Sequence, residues 1–298
     1  MIDPLILFND PDHILKEYYL YIINLLRQVK SIEPLNIVIG NSQHEFENSN
    51  RTIIIHVNCE HTLVKKQGRN SFGPVGKIKV IDDDNDHYLV RISNYDTLIR
   101  SDIIIDYSTP NLVNIKESEV FQEFYEKCIY IAPLLYPLYI IRENRDIECL
   151  TTFINTEEPR RKKLLEKMTN HGIQHRNVND CFDRDCLQAL YHTTRIMINI
   201  HQTDHHHTLE ELRVLPALCS GILVICEESP LKDFVAYSPF LIWSHYDDMI
   251  GTIQEVQENY NDYHRKIFDD PRLRDVMEKL QTDNRNNLEN KIHRFFPL

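Results

Sequence analysis

Short apolar runs rich in isoleucine and valine alternate along this chain with segments of helical periodicity. The runs TIIIHV at 52–57 and ILVIC at 222–226 are typical of strands buried on both faces of a sheet. Such strands need helices on both faces, so the pattern predicts β–α–β units with mainly parallel strands. The predicted strands are 35–40, 52–57, 77–81, 88–92, 102–107, 128–132, 147–154, 195–200, 222–226 and 240–243. The predicted helices are 13–30, 120–125, 157–170, 183–194, 209–220, 247–268 and 271–295.

The β–α rhythm restarts near Pro133, and this predicts two α/β domains of Rossmann-like type. We expect an N-terminal domain at residues 1–135 and a C-terminal domain at residues 136–298, with the option that the last helices pack back on the N-terminal domain. A length of 298 residues suits two domains of ordinary size. Ligands of such folds bind at the carboxyl ends of strands, so the predicted site is the cleft between the two domains.

The composition argues against several classes of protein. The chain has 45 acidic and 33 basic residues, and its net charge of −12 argues against a general nucleic-acid binder, which needs an excess of Lys and Arg on one face. Its 42% hydrophobic residues argue against disorder. No run approaches the roughly 18–20 apolar residues of a membrane span, and the first residues lack the basic region of a signal peptide. We therefore expect a cytoplasmic protein with no membrane span.

The seven cysteines are odd in number and include no CxxC pair. This usage predicts reduced thiols, as in a reducing compartment. A composition rich in Ile and Asn but with only seven glycines indicates an AT-rich genome, and we expect a viral or bacterial origin. The sequence leaves the oligomeric state open, with a homodimer among the alternatives.

The stretch 195–230 contains the polar residues that most strongly indicate chemistry. A predicted buried strand runs into a loop with four histidines, and a helix then ends at Gly221, a residue suited to the position after a helix. A second strand follows and ends at Glu227. Because the carboxyl ends of parallel strands meet at one edge of a sheet, we expect the loop, Arg213 and Glu227 to converge there.

This stretch resembles the C-terminal half of GT-B-fold glycosyltransferases, and more narrowly a group 1-like set found in bacteria and large DNA viruses. The resemblance covers about residues 50–250. The matching residues are Asn199, Ile200 and His201; Leu209 and Glu210 with Arg213; Ala217 and Leu218 with Gly221; Val224 to Glu227; Phe153 with Arg160 and Arg161; Asp106, Tyr107 and Ser108 with Asn111; and Tyr130 to Pro133.

The resemblance implies a GT-B-like fold and a glycosyltransferase that moves a sugar from a nucleotide diphosphate sugar. The acceptor would be a glycan, a lipid-linked molecule or a protein, and no metal or other cofactor would be needed. The leaving diphosphate gains negative charge, which arginines and a helix N-terminus stabilise. The predicted donor-binding residues are Arg160, Arg161, Arg213 and Glu227. The predicted catalytic residues are His201, Asp204, Glu210 and His61.

Each of these candidates also has a purely structural interpretation. The basic run after Pro159 is also typical of the solvated face of an amphipathic helix, and the histidine-rich loop is also typical of a polar surface loop. His201 at a strand end also fits a satisfied core histidine. For Glu227, the alternative is an ordinary strand-end turn.

One departure from the family pattern supports a second hypothesis. Better-known retaining GT-B enzymes have two glutamates separated by seven residues, and alignment on Gly221 places Thr208 and Pro216 at those positions. Neither side chain replaces a carboxylate, so a non-catalytic GT-B-like binding or scaffold module is the alternative.

A third hypothesis comes from Asp204, His205 and His206, which match the three-residue motif of the DHH phosphoesterases. It predicts a metal-dependent phosphoesterase. Consecutive histidines rarely all face one ion, and no HExxH spacing or partner cysteine accompanies them, so we expect no metal site.

Overall fold

The structure is a computed structural model, and it describes residues 2–8, 15–30, 33–40, 46, 48–58, 63–65, 87–89, 95–117, 122–140, 145–153, 159–181, 183–201 and 208–295. The described residues form two units. Unit 1 contains those as far as Leu135 together with those from Leu280 onward, and unit 2 contains those from Tyr136 to Lys279.

Unit 1 is built on a sheet of five parallel strands. Its elements in chain order are β1 (Leu5–Phe8), α1 (Lys16–Leu26), β2 (Leu35–Ile39), β3 (Arg51–Asn58), β4 (Leu63–Lys65), β5 (His87–Leu89), α2 (Tyr95–Arg100), β6 (Ile103–Asp106), α3 (Thr109–Glu117), α4 (Gln122–Tyr125) and β7 (Cys128–Tyr130). The strand order is β1-β2-β3-β6-β7, and β4 pairs with β5 in a separate antiparallel ribbon. Every residue of β2 and of β6 is buried, which fits strands covered on both faces.

Unit 2 contains a second sheet of five parallel strands. Its elements are β8 (Ile147–Thr151), α5 (Pro159–Asn170), β9 (His175–Asn177), α6 (Arg184–Thr193), β10 (Thr194–Asn199), α7 (Glu211–Cys219), β11 (Leu223–Glu227), β12 (Ile242–Ser244), α8 (Met249–Glu258) and α9 (Tyr260–Phe268). The strand order is β12-β11-β10-β8-β9. A last helix, α10 (Pro271–His293), begins in unit 2 and continues into unit 1.

The two parallel sheets confirm the predicted fold class of two Rossmann-like α/β units. The apolar runs that predicted strands form the centres of the sheets. Ile53 and Ile55 of β3 and Leu223 and Ile225 of β11 are fully buried. Gly221 follows α7 with a positive φ of 74°, a backbone conformation that favours glycine, and this confirms its predicted place after the helix.

Three predicted elements differ from the structure. The single helix predicted at 247–268 is two helices, because Asn259 leaves the helical conformation at φ −111° and ψ 26° and separates α8 from α9. The strand predicted at 240–243 begins later, since Phe240 closes a 3-10 turn before β12. The helix predicted at 209–220 begins only at Glu211.

Some elements escaped prediction, and others cannot be compared. Strand β1 and helix α3 were not predicted, and neither was β9, whose sequence His-Arg-Asn has no apolar pattern. The strand predicted at 77–81 lies outside the described residues. Of the strand predicted at 88–92, the structure describes only the part as far as Leu89, within β5.

The expectation of seven reduced thiols is wrong for one pair, because the structure joins Cys181 and Cys186 by a disulfide. Asp183 caps α6 by accepting hydrogen bonds from the N–H groups of Asp185 and Cys186. This turn brings the two Cα atoms to 6.1 Å, within the range that a disulfide spans. Cys128, Cys149, Cys219 and Cys226 have free thiols.

No helix in the described part of the chain combines the length and the apolar character that crossing a membrane requires.

A buried amide fixes the C-terminal part of α10 within unit 1. Asn284 is fully buried. Its Oδ1 accepts a hydrogen bond from the N–H of Ala132 at 2.7 Å, and its Nδ2 donates to the C=O of Ala132 at 2.8 Å and to the Tyr21 hydroxyl at 2.9 Å.

We expect Asn284→Ala to lower the free energy of unfolding by about 2–3 kcal/mol, because it leaves the N–H of Ala132 buried without its partner and removes a hydrogen bond to the C=O of Ala132, which keeps the N–H of Leu134. Urea denaturation measures the change. The control is Asn287→Ala on the same helix, where an exposed amide makes one long hydrogen bond of 3.4 Å to Tyr130, and we expect a change within about 0.5 kcal/mol. Equal losses in the two variants would contradict this account of Asn284.

Candidate functional site

The topology of unit 2 indicates where a ligand binds in that unit. Strand β9 lies on one side of β8, whereas β10, β11 and β12 follow in order on its other side. In parallel α/β sheets, ligands bind outside the carboxyl ends of the strands at such a reversal of strand order. The described strands of the unit 1 sheet follow one another in chain order without a reversal. The carboxyl edge of the unit 2 sheet is therefore the candidate site.

A buried ion pair occupies this edge. Arg160, the second residue of α5, directs both terminal nitrogens of its guanidinium at the carboxylate of Glu227, the last residue of β11. One of the two contacts measures 2.6 Å, from Nη1 to Oε2. The two side chains are only 12% and 10% exposed. The pairing is bidentate, the strongest geometry for an arginine and a carboxylate.

Tyr246 supports the same guanidinium from another direction. The centre of its ring lies 3.8 Å from Cζ of Arg160, a cation–π contact. Its hydroxyl donates a hydrogen bond of 2.8 Å to the backbone carbonyl of Arg160. Tyr246 was not among the residues predicted from the sequence. The signal that it carries is its position two residues beyond β12, at the same carboxyl edge.

His201 joins the cluster through its backbone and its ring. Its N–H donates to Oε2 of Glu227 at 2.9 Å, so the carboxylate accepts from two chain segments at once. Its Nε2 lies 3.0 Å from the carbonyl of Glu228, and because a carbonyl only accepts, this nitrogen carries the proton. Burial lowers the pKa of His201, against the opposing effect of Glu227. The imidazole is therefore neutral at pH 7, with Nδ1 as its basic nitrogen.

Two predicted site residues lie at the start of α7, with Glu210 directly before the helix and Arg213 in its first turn. The main chain of Glu210 begins this helix and accepts a hydrogen bond from the N–H of Arg213. The carboxylate of Glu210 is near enough to His201 to raise its pKa slightly. Nη1 of Arg213 is buried and has no hydrogen-bond partner among the described residues. Burial raises the pKa of Tyr191, and the charge of the nearby Arg213 opposes this rise.

Arg161 has a different environment from its neighbour Arg160. Its guanidinium lies over the ring of Phe153, with 4.8 Å between Cζ and the ring centre, and the residue is only 4% exposed. Successive residues of a helix do not share a face, and this separates the two predicted phosphate contacts. Arg160, His201 and Glu227 are thus brought together, whereas Arg161 packs on Phe153.

The structure describes only some of the remaining residues that the sequence singled out. Asp204, His61 and the histidines 205–207 fall outside the described residues. Where the structure describes the chain, no group of three or more His, Cys, Asp or Glu side chains is arranged to hold a metal ion. Pro216 is buried inside α7, and Thr208 is half-buried before it.

The carboxyl edge of the unit 1 sheet carries a second polar cluster. Asp106, at the end of β6, is fully buried. Its carboxylate accepts hydrogen bonds from the amides of Asn58 at 2.7 Å and Asn111 at 2.6 Å and from the N–H of Ser108 at 2.8 Å. Burial raises the pKa of Asp106 to about 7, although the three donors oppose the rise. Burial also lowers the pKa of the nearby His56 to about 4.

Comparisons with known proteins give two sequence relatives, both in Acanthamoeba polyphaga mimivirus. Uncharacterized protein R358 is 29% identical over 178 residues, which cover 56% of this chain and 57% of the relative. Uncharacterized protein L140 is 26% identical over 180 residues, covering 58% of this chain and 56% of the relative. The match therefore spans a little over half the length of each relative. No family model matches the chain.

The chain is also similar to three solved structures. TarM matches with a TM-score of 0.42 and 10% identity over 88% of this chain and 57% of TarM. The GtfA/B complex matches with a TM-score of 0.37 and 14% identity over 93% of this chain and 58% of its own. The structure of accessory secretory protein 1, 2 and 3 in Streptococcus pneumoniae matches with a TM-score of 0.34 and 13% identity, over 91% of this chain and 58% of the matched chain.

The raised pKa of Asp106 predicts a pH dependence with a defined sign. A pKa of about 7 in the folded state, above the ordinary value of 3.8, means that the folded state binds the proton more tightly. The stability that this provides is fully present below about pH 4 and is lost as the pH rises through 7. We therefore expect the stability advantage of the wild type over Asp106→Asn to shrink between pH 5 and pH 8.

Urea denaturation at pH 5, 6, 7 and 8 measures this difference. The lowered pKa of His56 gives a slope of the opposite sign, but both proteins contain His56 and its effect cancels in the comparison. If the stability advantage of the wild type over Asp106→Asn stayed constant or grew with pH, Asp106 would be ionised in the folded state throughout this range.

Proposed function

We propose that this protein is a glycosyltransferase that takes its sugar from a nucleotide diphosphate sugar and binds this donor at the carboxyl edge of the unit 2 sheet. The observation that carries the proposal is the guanidinium of Arg160, held at the start of a helix beside the reversal of strand order. The sequence resemblance at 195–230 supports the same activity. The acceptor would be a glycan, a lipid-linked molecule or a protein, and its binding is assigned to unit 1.

The proposed chemistry needs positive charge where the leaving group forms. When the bond between the sugar and the diphosphate breaks, the terminal phosphate gains negative charge. Arg160 would bind two of its oxygens side by side, as it now binds the two oxygens of Glu227. The first turn of α5 contains no acidic residue, and its N–H groups add to the positive potential. Charge stabilisation of this kind needs no metal ion.

The neighbouring residues would take the remaining roles. His201 is neutral and has its tautomer fixed by Glu228, so its Nδ1 would accept a hydrogen bond or proton from a substrate hydroxyl. Arg213 would add a second positive charge, and its buried Nη1 without a partner among the described residues supports this role. Glu227 would bind ribose hydroxyls only after releasing Arg160. Asp204, Glu210 and His61 are retained as further catalytic candidates.

A second candidate function is a nucleotide-binding module without catalysis. The observation that favours it is Pro216, which is buried in α7 at one of the two positions where retaining GT-B enzymes have a glutamate. Such a module would keep the anion site and lack turnover. Release of the nucleoside diphosphate from a nucleotide sugar distinguishes the two candidates, because only the enzyme releases it.

The test begins with thermal shift of the full chain against UDP, GDP, CDP and dTDP and their sugars, with EDTA present. A ligand that binds the folded state raises the melting temperature. We expect one nucleotide family to raise the melting temperature, and we expect the protein to turn over the nucleotide sugar of that family. Arg160→Lys keeps the charge but loses the two-pronged geometry, so we expect kcat/KM to fall roughly 10–100-fold.

The matched control is Lys162→Ala on the same helix, where the side chain is 67% exposed and 4.0 Å from Glu166. We expect it to leave turnover unchanged. Absence of any nucleotide-dependent shift in the wild type, or equal turnover by Arg160→Lys, would overturn the proposal.

A further inference from the structure

The guanidinium of Arg160 contacts an aromatic ring and a carboxylate, which are partners of different chemical kinds. The ring of Tyr246 lies 3.8 Å from Cζ, and the carboxylate of Glu227 accepts from both terminal nitrogens. The Tyr246 hydroxyl also binds the backbone carbonyl of Arg160 at 2.8 Å, so the same side chain holds both the main chain and the head group of the arginine.

An incoming anion would affect these partners differently. A phosphate group presents two oxygens side by side, as a carboxylate does, and therefore competes for the contacts that Glu227 now makes. The ring of Tyr246 is neutral and lies over the guanidinium, so an anion does not compete for its position. Tyr246 also lies 5.4 Å from Nζ of Lys167, two turns further along α5, and so contacts two cations of the same helix.

The burial of the ion pair sets a condition on such an exchange, because an anion that displaces Glu227 has to supply the charge that Arg160 loses. Arg160 and Glu227 are 12% and 10% exposed, and a buried charge that loses its partner is strongly destabilising. Arg160 therefore needs one negative charge against it, and a displaced Glu227 would keep the N–H of His201 as a hydrogen-bond donor. In the structure this charge belongs to Glu227, and a bound anion would replace it.

We propose that Tyr246 is the positioning residue of this site, holding Arg160 in place while Glu227 occupies the position that the diphosphate of a substrate takes. The inference rests on the proposed function only for the identity of the ligand. It makes Glu227 an intramolecular competitor of the diphosphate, whereas a role in binding ribose would make it a ligand of the nucleoside.

Calorimetric titration of the full chain with inorganic pyrophosphate measures the competition for Arg160 alone, because pyrophosphate has no ribose for Glu227 to bind. Glu227→Gln removes the competing charge, and we expect roughly tenfold tighter binding of pyrophosphate than in the wild type. A gain in affinity does not arise from damage to the fold. Without ligand, the Glu227→Gln variant should also have a lower melting temperature than the wild type. Added pyrophosphate should raise its melting temperature by more than it raises that of the wild type.

Tyr246 is tested with two variants. Tyr246→Leu removes the ring and the hydroxyl, and we expect pyrophosphate binding to weaken roughly 5–30-fold. Tyr246→Phe keeps the ring, and we expect an affinity between those of Tyr246→Leu and the wild type. The matched control for the glutamate is Glu228→Gln, because the neighbouring carboxylate pairs with Lys232 at 2.7 Å rather than with Arg160. We expect this control to bind pyrophosphate as the wild type does.

The outcomes separate this inference from the proposed function. The expected order of affinities without turnover of any nucleotide sugar would support the positioning role and overturn the enzyme. Turnover with equal pyrophosphate affinity in the wild type, Glu227→Gln and Tyr246→Leu would support the enzyme and overturn the positioning role. Unchanged or weaker binding by Glu227→Gln, or no binding by either it or the wild type, would overturn the inference.

Discussion

The buried pair between Arg160 and Glu227 connects several ends of secondary structure in unit 2. Arg160 comes from the first turn of α5, and Glu227 ends β11. The N–H of His201, just beyond β10, donates to the same carboxylate, and Tyr246, just beyond β12, holds the arginine. Removing one partner of such a pair costs about 3–5 kcal/mol, because the other charge stays buried. The pair therefore connects these chain ends and places a positive charge at the sheet edge of unit 2.

Parallel strands explain why residues so distant in sequence meet at this place. Arg160 and Glu227 are 67 positions apart. All five strands of the sheet run in one direction, so their carboxyl ends share one edge, and the residues that follow them become neighbours. The order of the strands reverses between β8 and β10, which is where parallel α/β sheets generally bind their ligands. The topology and the buried charge thus indicate the same position for an anionic ligand.

Much of this arrangement could be predicted from the sequence. The apolar runs of β2, β3, β10 and β11 have nearly the predicted bounds, because burial on both faces demands continuous apolar sequence. The same reasoning predicted that polar residues beyond β10 and β11 converge, and His201 and Glu227 do so. Strand β9 lacked this signal, since its residues are polar and partly exposed.

The contacts within the site were harder to predict. Arg160 and Arg161 are equivalent in a sequence motif, and only the rotation of α5 decides that one pairs with Glu227 and the other packs on Phe153. Tyr246 belongs to no motif, and its role depends on a ring contact that spacing does not encode. The disulfide between Cys181 and Cys186 depends on the turn that Asp183 caps, whereas the cysteine count alone indicated free thiols.

A crystal structure of the full chain with the nucleoside diphosphate that raises its melting temperature most would test the central claim directly. The account predicts that a terminal phosphate lies against the guanidinium of Arg160 at the carboxyl edge of the unit 2 sheet. The guanidinium would still stack on Tyr246, and the contact with Glu227 would be broken. A nucleotide bound elsewhere, or one bound here with the pair between Arg160 and Glu227 intact, would contradict it.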